Sequence, residues 1–473
     1  MGDTRGQFTV AGLSRRHFLS GGALAGVGIL LAACGGAATT TPLPPTTTPV
    51  PATTPTTGGA PPTAATTATR AASPTGPAPA TASAPAPATR ATGTPTTGTG
   101  TATRTAPAGT ATRTAGGSPA AVGDFARLLA MVPQVAPLPD NNGIAFADIA
   151  RQKRNYGLEG ATSLESLQAI GASVAKFSNA LGALPLPPEA GVERLSDPQW
   201  RATTGYDFWQ LDRTISAGTP PARWVRMEGR IDRAEVTAAL TKAGHRPTTY
   251  RDATYLTLGE DGQLFNLNEP LTRLTLAQLN RVLLDDGALT ASAYTAIMRA
   301  GIDVRAEALP SFAANADYAN LAAAMEPVVG AQLLPGDDFF RQAVATPPRT
   351  TPAVATAIAT RIVSPDRAKL HQYRLVGLGI RDDGTTHTML VALHYADAAD
   401  ARADAPILRQ RAGDYRLLRS GQLLRDLVTP GEPTIVAAGG AATVILPLAI
   451  ADERRLNLWQ QMFAARDFFF LAE

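Results

Sequence analysis

The sequence predicts an α+β head carried at the end of a long unstructured stalk. Three observations predict it. First, of 473 residues, the 84 from Ala37 to Ala120 are almost only Thr, Pro, Ala and Gly, with no aromatic, no acid and no lysine. Second, after residue 120 short runs of period two alternate with runs of helical period. Third, the order strand, turn, strand, helix occurs twice near the C-terminus, 55 residues apart. A hydrophobic content of 44% excludes a wholly disordered chain, and the stalk accounts for a charged content of only 17%.

The first 33 residues read as an export signal. Arg15, Arg16 and Phe18 lie in Ser14-Arg15-Arg16-His17-Phe18-Leu19-Ser20, and an apolar run follows from Gly21 to Ala33. A charged segment ahead of a short apolar one is the pattern of a signal peptide. About 13 residues at 1.5 Å each fall well short of a ~30 Å hydrocarbon core. The run ends in Leu31-Ala32-Ala33-Cys34-Gly35, and Cys34 is the only cysteine in the chain. Its thiol has no globular sequence around it to bury it or to supply a base. That argues against both a buried thiol and a catalytic nucleophile.

The Arg-Arg-x-Phe-Leu stretch resembles the twin-arginine export motif, and Leu-Ala-Ala-Cys-Gly resembles a bacterial lipobox. Together they resemble Tat-exported bacterial lipoproteins over residues 1 to about 120, and they speak to topology alone. The resemblance implies signal recognition through Arg15, Arg16 and Phe18, and cleavage before Cys34. It also implies a diacylglycerol thioether on Cys34, with further acylation of the palmitate class. One acyl chain holds a protein marginally and two hold it stably. The mature chain is then expected on the extracytoplasmic face of the cell membrane, anchored without spanning it. No disulfide is available to it.

The segment 34–120 is expected to be a disordered linker, because it cannot bury enough apolar surface to offset its ordering entropy. As polyproline II it would reach roughly 260 Å, and as a flexible coil about 50 Å. A passive tether, a cell-wall-crossing stalk and a glycosylated stalk all fit its composition. Segmenting the chain also changes the charge reading. The whole carries +3, but the signal and the stalk hold seven arginines against Asp3, which leaves the head with 35 basic and 38 acidic residues. That balance, and the lack of a basic stripe, exclude nucleic acid as a partner.

The head is expected to form two domains, 121–350 and 351–473. Asp124 to Val132 reads as a short helix ended by Pro133, Ala145 to Gln152 as a second, and Ser163 to Leu181 as one long helix. Trp224 to Ile231 reads as a strand, with Asp232 and Glu235 opening a helix that Gly244 closes. Thr254 to Leu258 and Arg281 to Leu284 read as strands. Ser292 to Ala300, ended by Gly301, and Ala313 to Met325 read as helices. Tyr373 to Arg381, the turn Asp383-Gly384 and His387 to Tyr395 read as a hairpin, followed by a helix capped by Asp397. The same order returns at Thr434 to Ala438, Gly439-Gly440, Thr443 to Ile450 and Asp452. The reading is of antiparallel sheet with helices on one face and a duplicated ββα unit, with a ferredoxin-like sheet as one form of it. Phe468-Phe469-Phe470 is expected to be a last strand or a buried tail.

Motifs of catalysis do not occur in the head: no G-x-S-x-G, H-E-x-x-H, Walker A or C-x-x-C. No catalytic residue, cofactor or metal is predicted. His387 and His394 lie seven apart in one strand and should face opposite ways, while His371 is placed to pair with one of them across the hairpin. The acid pairs Asp285-Asp286, Asp337-Asp338 and Asp382-Asp383 sit beside glycine, where turn chemistry explains aspartate. Tyr206 and Trp209, with Trp200 and Trp224 nearby, read first as core and second as a ligand platform. Tyr206, Trp209, His371 and His387 are thus the ligand-surface candidates. The function expected is a membrane-anchored, non-catalytic binding or scaffolding module for a cell-wall polymer, a peptide or another envelope protein. The alternatives are a small-molecule solute-binding lipoprotein and a cofactor- or metal-dependent enzyme.

Overall fold

The computed structural model describes residues 112–114, 123–138, 143–263, 270–336, 368–418 and 420–472. Arg15, Arg16, Phe18, Cys34, Asp337, Asp338 and nearly all of the expected linker lie outside the described residues.

Among the described residues fourteen strands build one sheet. They are β1 (Thr112–Thr114), β2 (Ile144–Asp148), β3 (Leu211–Thr219), β4 (Ala222–Gly229), β5 (Arg246–Tyr250), β6 (Ala253–Thr257), β7 (Arg281–Asp285), β8 (Ala288–Ser292), β9 (Gly330–Pro335), β10 (Leu375–Asp382), β11 (His387–Tyr395), β12 (Thr429–Pro430), β13 (Thr434–Ala438) and β14 (Ala441–Ile450). Their order is β1-β13-β14-β11-β10-β9-β2-β3-β4-β8-β7-β6-β5, with β12 beside β14. The β1–β13 pair is parallel and the other pairs are antiparallel. The helices are α1 (Asp124–Leu129), α2 (Ile149–Asn155), α3 (Leu164–Ala169), α4 (Val174–Gly182), α5 (Pro198–Thr204), α6 (Arg233–Lys242), α7 (Pro270–Thr275), α8 (Thr295–Arg305), α9 (Ala316–Met325), α10 (Ala398–Asp414) and α11 (Leu458–Ala464). The chain is α+β, as the sequence predicts.

The ββα repeat is present as β10–β11–α10 and β13–β14–α11. Asp397 accepts from the Ala399 N–H at 2.7 Å and Asp452 from the Arg454 N–H at 3.0 Å, so each return strand ends in the same capped turn. A short 3-10 turn, Glu453–Arg455, precedes α11. The four strands run β10-β11-β14-β13, hairpin beside hairpin, where a ferredoxin-like sheet would interleave them. The boundary expected at 350 lies outside the described residues; on either side of it β9 pairs with β10, in one sheet.

Helices cover both faces of the sheet rather than one. The cause lies in the strands, whose two sides are both apolar. Val376, Leu378 and Ile380 of β10 enter one core cluster and Leu375 the other; Met389, Val391 and Leu393 of β11 oppose Leu390 and Ala392. A sheet with two apolar faces needs a cover on each. The larger core contains side chains of α10 and α11, and the smaller those of α1 and α9. Each fully buried Leu or Phe contributes about 1.5–3 kcal/mol.

Local expectations fail where tertiary pairing overrides them. Ala145 to Asp148 is strand, not helix, because β2 is hydrogen-bonded between β3 and β9. Asp148 then caps α2 by accepting from the Arg151 N–H at 2.9 Å. The long helix expected from Ser163 to Leu181 is two helices, parted at Gly171, whose φ of 70° an α-helix does not admit. Gly301 lies inside α8 and does not end it. A Cβ there would fall 2.6 Å from Trp224 Nε1, so glycine lets the helix pass close over the indole. Phe468–Phe470 is a buried tail. Arg411 holds it by donating to the Phe470 and Ala472 carbonyls at 3.2 and 2.7 Å.

Candidate functional site

Strand β4 sets Trp224, Arg226 and Glu228 on one face and Val225 and Met227 on the other. Trp224 is roofed by α8. Further along the same face the side chains are charged and form a continuous chain. Arg226, with 9% of its side chain exposed, donates from Nε to Glu228 Oε1 at 3.2 Å. Its Nη1 donates to Asp285 Oδ2 at 2.9 Å and to Thr290 Oγ1 at 3.2 Å. Arg127 of α1 grips Glu228 with both nitrogens, at 3.1 and 2.6 Å. Arg305, at the end of α8, donates to Asp285 Oδ1 at 2.7 Å, and Asp124 joins Arg127 to Arg213 at 3.5 and 3.0 Å. Burial by itself would raise the Glu228 carboxyl, but the hydrogen bonds and charges of Arg127 and Arg226 together outweigh that and hold it below the ordinary glutamate value.

This chain of charges ends at an open cleft of about 470 Å³ lined by Met131, Arg226, Arg233, Asp285, Asp286 and Arg305. Arg305 also borders a neighbouring cleft of about 510 Å³, formed with residues 307–311 beyond α8. A guanidinium offers five N–H donors. Among the described residues, Arg226 Nη2 has no hydrogen-bond partner, Arg305 uses Nη1 alone, and Arg233 and Asp286 have no partner. Asp285 accepts one guanidinium N–H on each oxygen, so its charge is paired twice over. The cleft thus offers uncommitted charged donors set against a rigid, half-desolvated ion network. No ligand-surface candidate from the sequence lies among its lining residues. The signal that marks it is Arg226 and Glu228 alternating with Val225 and Met227, which in sequence looks like a solvated strand face.

The sequence candidates lie elsewhere and are not brought together. Tyr206 is fully buried and its hydroxyl donates to the Glu189 carbonyl at 2.6 Å. Trp209, 5% exposed, packs on Phe177 and Phe208 with ring centroids 5.1 and 5.9 Å away. Both are core, so they form no platform. His387 and His394 do face opposite ways, and each is tied to a carboxylate. His387 Nδ1 lies 2.9 Å from Asp382, and His394 Nε2 lies 3.2 Å from Asp317. His371 pairs with neither. Its imidazole is half exposed, and Nδ1 lies 2.7 Å from the fully buried Asp404, whose second oxygen accepts the His371 backbone N–H. That hydrogen bond raises the His371 pKa. Among the described residues no group of three or more His, Cys, Asp or Glu is placed to share a metal ion.

Of the acid pairs, Asp383 does turn work, accepting from the Thr385 and Thr386 N–H groups at 2.9 and 2.7 Å. The Thr386 hydroxyl leads the contacts that hold its carboxyl well below the usual range. Asp382 and Asp285 do more than the turn reading allows. Asp382 is a buried hub that accepts from Gln152 Nε2 (2.7 Å), Tyr156 Oη (3.0 Å), His387 Nδ1 (2.9 Å) and the Gly384 N–H (2.8 Å). Next to this hub Lys153 is buried and donates to the Trp209 and Leu211 carbonyls at 3.1 and 3.4 Å. Its ammonium lies 5.0 Å from the Phe208 ring centre. Burial pushes its pKa down to about 8. The sequence marks neither Gln152 nor Lys153 as a site residue.

No helix among the described residues is long and apolar enough to cross a membrane. No protein family matches the chain, and no curated protein matches its sequence. A solved structure to which it is similar is crystal form III of TP0453, at 9% identity over 70% of this chain and 96% of that one, with a TM-score of 0.30.

Proposed function

We propose that this protein is a lipid-anchored, extracytoplasmic binding module, held by acyl chains on Cys34 and spaced from the membrane by its Thr/Pro/Ala stalk. The head takes a partner at the cleft lined by Arg226, Arg233 and Arg305. The observation that carries this is the set of uncommitted guanidinium donors around a fixed ion network. Guanidinium stays charged and hydrogen-bonds in a planar fork, so it binds and orients rather than shuttling protons. The anchor rests on the Arg-Arg-x-Phe and Leu-Ala-Ala-Cys segments. The test expresses the full chain and its Cys34→Ala variant in a bacterial host, with labelled palmitate and membrane fractionation. Label and membrane retention in the parent, both lost in the variant, are the expected result. A variant that stays with the membrane through a carbonate wash refutes the anchor.

A second reading, an enzyme, is favoured by one observation: the half-exposed His371, oriented by buried Asp404, has the build of a general base. Turnover of any substrate class by the full chain, abolished in His371→Gln, would replace the binding reading.

A further inference from the structure

We propose that the cleft at the start of α6 binds the oxyanion group of a small solute, a phosphate or a carboxylate, between Arg226, Arg233 and Arg305. The inference rests on reading this cleft as the binding site and goes on to name the chemistry it accepts. Three arginines and two aspartates line it. Asp285 already has a guanidinium on each oxygen, Arg226 Nη1 at 2.9 Å and Arg305 Nη1 at 2.7 Å, so its single charge is answered within the network. Among the described residues the donors left open are Arg226 Nη2, all of Arg233, and Nε and Nη2 of Arg305, against one unpartnered carboxylate, Asp286. Paired N–H groups on planar guanidiniums match the paired oxygens of a carboxylate or phosphate.

Two further features favour an anion here. Arg226 is nine-tenths buried and fixed through Nε and Nη1 to Glu228, Asp285 and Thr290, so its remaining donors are held in place before a ligand arrives. Arg233 is the first residue of the ten-residue helix α6, where the macrodipole is positive. Asp232 caps that helix through the Ala234 and Glu235 N–H groups and leaves the Arg233 N–H unused. Met131 supplies an apolar contact for the carbon frame of a solute. Asp286 is the opposing charge, and it makes a test with a reversed sign.

The experiment uses the full chain in detergent, with inorganic phosphate and succinate as probes and sodium chloride of matched ionic strength as control. Thermal shift and titration calorimetry are the readouts. A saturable shift with either probe is expected, and the probe that gives it distinguishes a phosphoryl from a carboxylate ligand. Arg233→Ala removes an exposed side chain with no described partner, so the fold should survive and affinity should fall about tenfold. Asp286→Asn should tighten binding roughly threefold by removing a like charge. No shift beyond chloride at roughly 50 mM of either probe, in the weakest binding range, overturns the proposal. So does binding that Arg233→Ala leaves unchanged, or that Asp286→Asn weakens. A neutral solute bound in the cleft without regard to Arg233 overturns the oxyanion assignment and leaves the binding reading standing. The Cys34 fractionation reports on the anchor separately.

Discussion

Replacing Asp382 with alanine tests how the first helix after β2 is fastened to the β10–β11 hairpin. The Asp382 carboxylate is wholly buried and takes four hydrogen bonds, from Gln152, Tyr156, His387 and the Gly384 N–H, at 2.7 to 3.0 Å. Asn155 adds a bond to the Asp382 carbonyl at 2.6 Å. Alanine removes an acceptor from all four donors, of which Gln152 Nε2 keeps the Ala180 carbonyl at 3.0 Å, and each buried unsatisfied donor costs about 1–3 kcal/mol. Such costs are not additive and relaxation recovers part of them, so the loss should be about 4–6 kcal/mol. Against a typical native stability of about 5–15 kcal/mol this brings the chain close to unfolding. The assay is urea unfolding followed by tryptophan fluorescence, since all four tryptophans are buried in the head. With a slope of about 3 kcal/mol per molar urea the midpoint should fall by roughly 1.3–2 M. Asp382→Asn keeps one acceptor oxygen and turns an amide N–H toward a donor pair, so it should fall between the parent and alanine. Gln152→Ala should cost little once Asp382 is absent. A drop under about 0.3 M for Asp382→Ala, less than 1 kcal/mol on that slope, would refute the account of the hub.

Lys153 gives stability a distinctive pH dependence. Its folded value, pushed down to about 8 by burial, lies below the ordinary 10.5, so across that window the unfolded chain holds the extra proton and stability rises with pH. Relative to Lys153→Met the parent should gain on the order of 3 kcal/mol from pH 8 to 10.5, read from urea midpoints; parallel pH curves for the two proteins would contradict this. At His371 the sign is opposite. Its hydrogen bond to Asp404, with Asp400 nearby, raises its value, so the stability it adds is complete below the ordinary histidine range and is lost as pH rises through the raised folded value. Asp404→Asn should bring the His371 titration back toward the ordinary value in a proton NMR titration of the histidine ring signals. No movement would show that Asp404 does not set it.

How far the sequence discloses this molecule depends on the range over which each residue acts. The ββα repeat is legible because its punctuation is local. Asp383-Gly384, Gly439-Gly440, Asp397 and Asp452 each act within a few residues of themselves. Ala145–Asp148 is not legible, because nothing local distinguishes it from the first turn of α2; two strands from distant parts of the chain make it strand. The histidines show both cases on one element. Their spacing of seven does put His387 and His394 on opposite faces, yet what holds them is Asp382, five residues away, in one case and Asp317, 77 residues away, in the other. The cleft is the extreme case. Arg226 and Glu228 alternate with apolar residues as a solvated strand face would, and only the packing of α1 and α8 makes that face half-buried. Arg226 finds carboxylates at Glu228 and Asp285, and no pattern in the sequence records that Asp285 is thereby paired while Arg233 is not. A binding site made of leftover donors is defined by which partners were consumed in folding, and that subtraction can be made only after the long-range pairs are known.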